Sequence, residues 1–296
     1  MPHRLVVLAL ALATLASACA ATTPIRRTAM IPQPTLPTRT GPPLSAGEVT
    51  VTGEVYGQIG QLGLDELYLF DAAGRAGDPG VLVPRASVSG SVYGAFADFV
   101  EFGGHVKAGF GGTAEPNLVG VLDFPERNPD VIGGGPGIRF NGRIPNSPVT
   151  LSLLSEFTFT RIQQVRYLCS DPCTGDEDYA FDGYDVETRV LPSIALAPTV
   201  ALPHDLHVTV SGGVQSNVRN IGFDPQEWRR TRDTLSNFAV GLLGMGIDWR
   251  MKPITAGLHF VYPMSTQPRI DFNPTLTFRL GVVFGGDGRD AGISLE

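Results

Sequence analysis

From Leu276 to Phe284 the chain alternates without a break, with Leu276, Phe278, Leu280, Val282 and Phe284 on one parity and Thr277, Arg279, Gly281 and Val283 on the other. A period of two fits an extended strand with one apolar face. The same rhythm recurs from Glu48 onward, and this repetition limits the fold more than any other feature of the 296 residues. Beyond residue 15 no apolar run approaches the roughly 18 residues of a membrane helix. A chain of this kind crosses a bilayer with strands or not at all.

Ten such segments are predicted: 48–59, 85–97, 103–112, 137–144, 149–165, 184–202, 206–218, 237–250, 254–264 and 276–284. In the sixth, Pro192 and Pro198 are expected to weaken pairing or place a bulge. The connections alternate between long loops and tight turns such as Pro145-Asn146-Ser147-Pro148, Pro203-His204-Asp205 and Met251-Lys252-Pro253. Residues 219–236 also contain a capping-box arrangement, Asp224, Pro225 and Glu227, that predicts a helical turn.

This rhythm resembles small bacterial outer-membrane β-barrels, which join long external loops to short periplasmic turns and often end on a strand with a terminal Phe. Here Phe284 is followed by twelve more residues, 285–296. The resemblance implies an all-β fold: a single antiparallel up-and-down transmembrane β-barrel of about ten strands over residues 47–286, closed by the C-terminal strand, with residues 287–296 as a tail. It further implies the outer membrane of a Gram-negative bacterium, both termini periplasmic, contact with outer-membrane lipid or lipopolysaccharide, and recognition by the barrel-assembly machinery.

Alternation alone does not say which face meets water. The polar sets are small and weakly charged, as in Ser87, Ser89, Ser91, Tyr93, Ala95 and Ala97, or Thr209, Ser211, Gly213, Gln215 and Asn217. Such residues suit a crowded interior, and a water-facing set would carry more Lys and Glu. Charged residues are 17% of the chain, against about 25% in soluble domains. The apolar set is therefore expected to face lipid, with Trp249, Tyr262 and Phe284 near strand ends as an aromatic girdle. The alternative is a soluble periplasmic lipoprotein barrel of opposite facing, binding an apolar ligand inside. The net charge of −7, with no Lys/Arg-dense stripe, argues against a nucleic-acid partner.

Arg4, the apolar run 5–15 and Ala16-Ser17-Ala18-Cys19 form an export signal. It reads either as a secretory site cut before Cys19 or as a lipobox. In the second reading it resembles bacterial lipoprotein signals, in which Cys19 is acylated, although Ala16 stands where that family usually has Leu. Of three cysteines, Cys169 and Cys173 read as a disulfide bracing an exposed loop, leaving Cys19 as the odd one. Residues 20–46 carry Pro24, Pro32, Pro34, Pro37, Pro42 and Pro43 and read as an extended tether between anchor and barrel.

Charges recur on the inward parity: Glu54, Lys107, Arg139, Arg143, Glu156, Glu187, Arg189, Asp248 and Arg279. In a confined lumen they must pair. Arg279 is expected opposite Glu54 across the closing seam, and Arg139 diagonal to Glu156. They form either a selective narrow pore for a small solute or a salt-bridged filling. Trp228, Arg229, Arg230 and Arg232 stand in a predicted external loop, suited to lipopolysaccharide phosphates or to packing on the barrel rim. Asp171, Asp176, Glu177, Asp178, Asp182 and Asp185 lack metal-loop spacing and read as a solvated acidic cluster, so no metal or cofactor is expected. Asp205-Leu206-His207 resembles the Asp-x-His pair of omptin proteases, also ten-stranded, but sits at a short turn. With no Gly-x-Ser-x-Gly, His-Glu-x-x-His or P-loop present, no catalysis is expected, and a surface hydrolase is the third reading. Gly133–Gly135, Gly241, Gly244 and Gly246 are read as loop or close-packed strand glycines.

Overall fold

The computed structural model describes residues 25–59, 81–82, 84, 86–110, 131–169, 179–220, 235–265 and 272–285. The strands in chain order are β1 (Ile25–Met30), β2 (Glu48–Gln58), β3 (Val81–Leu82), β4 (Ala86–Ala97), β5 (Val100–Phe110), β6 (Val131–Arg143), β7 (Val149–Cys169), β8 (Tyr179–Ala201), β9 (Leu206–Asn220), β10 (Leu235–Met251), β11 (Ile254–Ser265) and β12 (Thr275–Gly285). Strand β2 and strands β4 to β12 pair in sequence, all antiparallel. The ring closes where β12 meets β2, with Arg279 opposite Glu54 and Phe284 opposite Val49. These are the ten strands expected from the alternation. A closed ring leaves no edge strand exposed to other chains or to lipid.

The facing is apolar-out. In β2 the burial alternates residue by residue, with Glu48, Thr50, Thr52, Glu54, Tyr56 and Gln58 buried and Val49, Val51 and Val55 exposed. Leu280 on β12 is 54% exposed and Met245 on β10 61%. Trp249 and Phe284, with Phe96, Phe99, Phe102 and Phe140, lie outward near the short-turn end, and Tyr262 lies outward toward the other end.

Four tight turns define the short-turn end, and Asn146, His204 and Asp205 adopt left-handed backbone there. Asn and Asp tolerate that region better than bulkier residues because their short side chains bond locally. Several strand boundaries differ from the sequence reading. Strand β5 starts at Val100 instead of 103. Strand β6 starts at Val131 instead of 137, because Gly133-Gly134-Gly135 joins the wall where backbones crowd; a methyl on Gly135 would collide with the Phe157 carbonyl. Strands β7 and β8 also run further as a paired hairpin, from Leu168 opposite Ala180 down to Val149 opposite Val200. Pro192 and Pro198 pair on the β7 side. On the β9 side the register skips from Leu196 to Thr199 and stops at Ser193 opposite Gln215, as expected of residues with no N–H to donate.

The largest departure concerns residues 31–46, expected as a tether outside the fold. They run inside the barrel instead. Ile31 and Gln33–Pro42 are buried, as is Leu44 at the short-turn end, where it packs with Tyr93, Ala95 and Val283. Before them, β1 pairs with β7 from Ile25 opposite Leu168 to Ala29 opposite Gln164, above the point where β6 begins at Val131 opposite Ile162. The chain therefore enters at the long-loop end, descends the lumen, and turns at Gly47 (φ 80°) into β2. The composition still explains the conformation. A lone strand in a lumen has no ladder to join, and Pro32, Pro34, Pro37, Pro42 and Pro43 remove donors that would otherwise need partners. Extended chain rising about 3.1 Å per residue is longer than a bilayer-height barrel of roughly 30 Å requires. The slack is taken up by the turn at Thr38-Arg39 and the bend at Gly41-Pro42.

Candidate functional site

The candidate site is the lumen with its plug. From the long-loop end downward, Asn217 Nδ2 donates to the Pro32 carbonyl at 2.9 Å, Gln58 Nε2 to Gln33 Oε1 at 2.5 Å, and Thr35 N to Gln215 Oε1 at 2.8 Å. At mid-depth Thr38 N donates to Glu156 Oε1 at 2.7 Å, and Arg279 Nη2 donates to the Thr38 carbonyl at 2.9 Å. Arg139 Nη1 donates to the carbonyls of Arg39 (2.9 Å) and Gly41 (2.7 Å). Nearer the short turns, Arg250 Nη1 donates to the Pro43 carbonyl at 2.7 Å, Leu44 N to Glu101 Oε1 at 2.9 Å, and Ala46 N to Asp98 Oδ1 at 2.8 Å. Side chains of the wall thus take the place that ladder partners fill in a sheet.

Four ionic clusters line this path. Glu54 binds Arg279 at 2.6 Å, and Arg279 also faces Asp248 at 3.5 Å; Asp248 in turn holds His259 Nε2 at 2.9 Å. Glu156 gathers Tyr93 Oη at 2.9 Å, Lys107 Nζ at 3.2 Å and the plug's Thr38. His105 lies beside it, its Nδ1 3.8 Å from Glu156 and its Nε2 2.9 Å from Thr158 Oγ1. Glu101 binds the plug's own charge, Arg39, at 2.9 Å, with Arg139 at 3.7 Å. Glu48, at the mouth, pairs with Arg250 and with Lys252 at 2.6 Å.

Arg139 lies diagonal to Glu156 as expected, since it faces Leu154 while Glu156 stands two residues on, but its ionic partner is Glu101. The register puts Arg139 directly opposite Glu101 on β5, while Glu156 faces Gly137, over which Tyr93 lies. A direct cross-strand neighbour is closer than a diagonal one. Arg143 is not in the lumen network. It is exposed beside the Pro145–Pro148 turn, as the last residue of β6. Glu187 and Arg189 pair with each other, half-buried on the upper part of β8, where Gln164 also donates to Glu187. Sequence reasoning missed Glu101, taken for turn, and Arg39, taken for tether. It also passed over His105, His259, Glu48 and Arg250, although their parity pointed inward. Cys19, Cys173, the Trp228–Arg232 loop, the acidic residues 171–178 and the Asp224 helical turn lie outside the described residues. Cys169 ends β7 opposite Tyr179, and Asp182 and Asp185 of the acidic cluster stand in strand β8.

Strand glycines make the sockets that this filling needs. A methyl on Gly244 would collide with Leu36 of the plug, and one on Gly246 with the His259 ring. Without a Cβ the wall lets these side chains lie flat against its backbone. Among the described residues, two cavities beside the plug hold about 10 and 20 Å³, the size of a single water.

No family model matches the chain, and no curated protein matches it in sequence. Among solved structures it is similar to the translocator domain of the autotransporter NalP from Neisseria meningitidis (10% identity, TM-score 0.41, covering 82% of this chain and 90% of that one). It is also similar to LpxR from Salmonella typhimurium (12%, TM-score 0.38, 79% and 100%) and to the N-terminal β-barrel domain of Pseudomonas aeruginosa OprF (6%, TM-score 0.31, 81% and 100%).

Proposed function

We propose that the chain is an outer-membrane β-barrel of a Gram-negative bacterium with a structural or narrow-pore role, closed at rest by its own N-terminal segment and without catalytic activity. One observation carries this reading: a closed ring wears a continuous apolar belt outside while its interior is polar and full. An apolar surface of that extent does not persist against water, and in lipid the same surface needs no cover. The soluble alternative requires an apolar cavity, but Thr50, Ser89, Thr158 and Gln215 line the inside.

The export signal fits delivery to the envelope, and Cys19 is the residue that acylation would use. The Trp228, Arg229, Arg230 and Arg232 loop offers cationic and aromatic groups to lipopolysaccharide phosphates. The closing strand β12 is the element that a barrel-assembly machinery would engage. A small solute passes only when the plug moves. Against catalysis stands the burial of the lumen's Asp248–His259 pair, 0% and 5% exposed and beneath Arg279. Asp205 and His207 stay at the short-turn end, where Asp205 is part of the tight turn.

Fractionation of the native envelope, with unboiled against boiled gel mobility, tests the reading. Sedimentation with the outer membrane through carbonate and high salt, with a heat-dependent mobility shift, is the expected result. Release into the soluble fraction on replacing Cys19, with no shift, would overturn it.

A further inference from the structure

The two ends of the described chain lie at opposite mouths of the barrel. Gly285 pairs with Glu48 at the short-turn end, whereas Ile25–Ala29 pairs with β7 at Gln164–Leu168, beyond the first residue of β6. The lumen run connects them in one direction only, and it is not a loosely held insert. Thr35, Thr38, Leu44 and Ala46 each give their backbone N–H to a wall side chain, and the carbonyls of Pro32, Thr38, Arg39, Gly41 and Pro43 each accept from one. Leu36 sits over Gly244, and Arg39 is buried against Glu101. Reversing or withdrawing the run would leave those donors, acceptors and charges unpaired together.

From this threading, and resting on the membrane reading above, we infer that the chain crosses the outer membrane inside its own barrel, so that its N-terminal region is displayed on the outer surface while its C-terminus faces the periplasm. Outer-membrane barrels place short turns on the periplasmic side and long loops outside, and the long-loop mouth is where Ile25 stands. The sequence reading had both termini periplasmic because it counted only barrel strands; the lumen run adds one more crossing. A consequence follows for Cys19. Six residue steps lead from Cys19 to Ile25, each at most about 3.6 Å, a reach of roughly 20 Å. The hydrocarbon core is about 30 Å thick. On this topology, acylation of Cys19 would make the molecule a surface lipoprotein with its lipid in the outer leaflet.

The test uses three full-length proteins carrying the same epitope, between Thr23 and Pro24, within residues 113–130, or after Glu296, each checked for the heat-dependent mobility shift. On intact cells the N-terminal and loop epitopes are expected to bind antibody, and the C-terminal one only after permeabilisation. A loop epitope at the surface with an N-terminal epitope reached only after permeabilisation would overturn the inference and leave the membrane reading standing. A loop epitope that is itself hidden until permeabilisation would overturn both. Should the inserted epitope prevent folding, Thr22→Cys in a Cys169→Ser/Cys173→Ser background gives the same readout. Its labelling by an impermeant maleimide on intact cells, above that of the background protein, is expected; labelling only in opened cells would overturn the inference.

Discussion

Glu156 shows what a single side chain does in this lumen. It is 1% exposed and joins β7 to β4 through Tyr93, to β5 through Lys107, and to the plug through Thr38. A buried carboxylate is tolerated only when its lone pairs are filled, and here partners from three directions fill them. Glu156→Ala would strand the Lys107 charge and the Thr38 N–H. Breaking a buried pair from one side typically costs about 3–5 kcal/mol, and the expected outcome is a lower temperature for the unboiled-to-boiled mobility transition. Glu156→Gln keeps the shape and should recover part of that loss. Gly244 makes a different point. Gly244→Val is expected to push Leu36 out of its socket, at a cost of about 1–3 kcal/mol for overpacking, and Leu36→Ala in the same chain should return most of the mobility transition. A Gly244→Val protein insensitive to Leu36→Ala would mean the plug does not lie there. Neither role was legible beforehand. Parity marked Glu156 and Gly244 as inward, but their partners Thr38 and Leu36 stand more than a hundred residues away in a tract whose composition says only that it is extended.

At the scale of elements, the strands were legible because a barrel wall imposes period two on every residue it contains. A slip of one residue would turn Glu54, Ser89 or Arg279 into lipid and Val55, Val88 or Leu280 into the lumen. The facing followed from residue size, since Ser87, Ser89 and Ser91 leave room that Tyr93 and the plug then occupy. Where the reading failed, a local signal competed with the wall. Gly133-Gly134-Gly135-Pro136 reads as loop yet forms β6, and Glu101 reads as turn yet opens β5 opposite Arg139. The lipid face is tested by substitution. Leu280→Arg and Val208→Arg place a charge on the outside of β12 and β9, and each is expected to lower stability by about 2–4 kcal/mol if at the bilayer midplane. Refolding into lipid vesicles against urea measures this. Val208, half-buried, is expected to show the smaller effect.

For the whole molecule, the order of assembly follows from the topology. The plug immediately precedes β2, and the seam that closes the ring, β12 on β2, also carries the Glu54–Arg279 pair that grips Thr38. Closing the ring first would require threading a Pro-rich chain through a lumen already lined with unpaired charges. Laying residues 31–46 against the open sheet before β12 docks avoids that, so a chain lacking residues 31–44 is expected to close around a wetter, less stable lumen. The sequence could suggest either a pore or a filled barrel, because both need paired charges. The distinction lies in the plug, which contributes Arg39 and a row of backbone groups that no wall residue supplies. Electrical conductance in a planar lipid bilayer tests this most directly. The full-length protein is expected to insert and pass almost no current, while the chain lacking residues 31–44 gives discrete open-channel steps. A full-length protein that conducts in steps of the same size as the deleted chain would contradict the closed, self-plugged barrel.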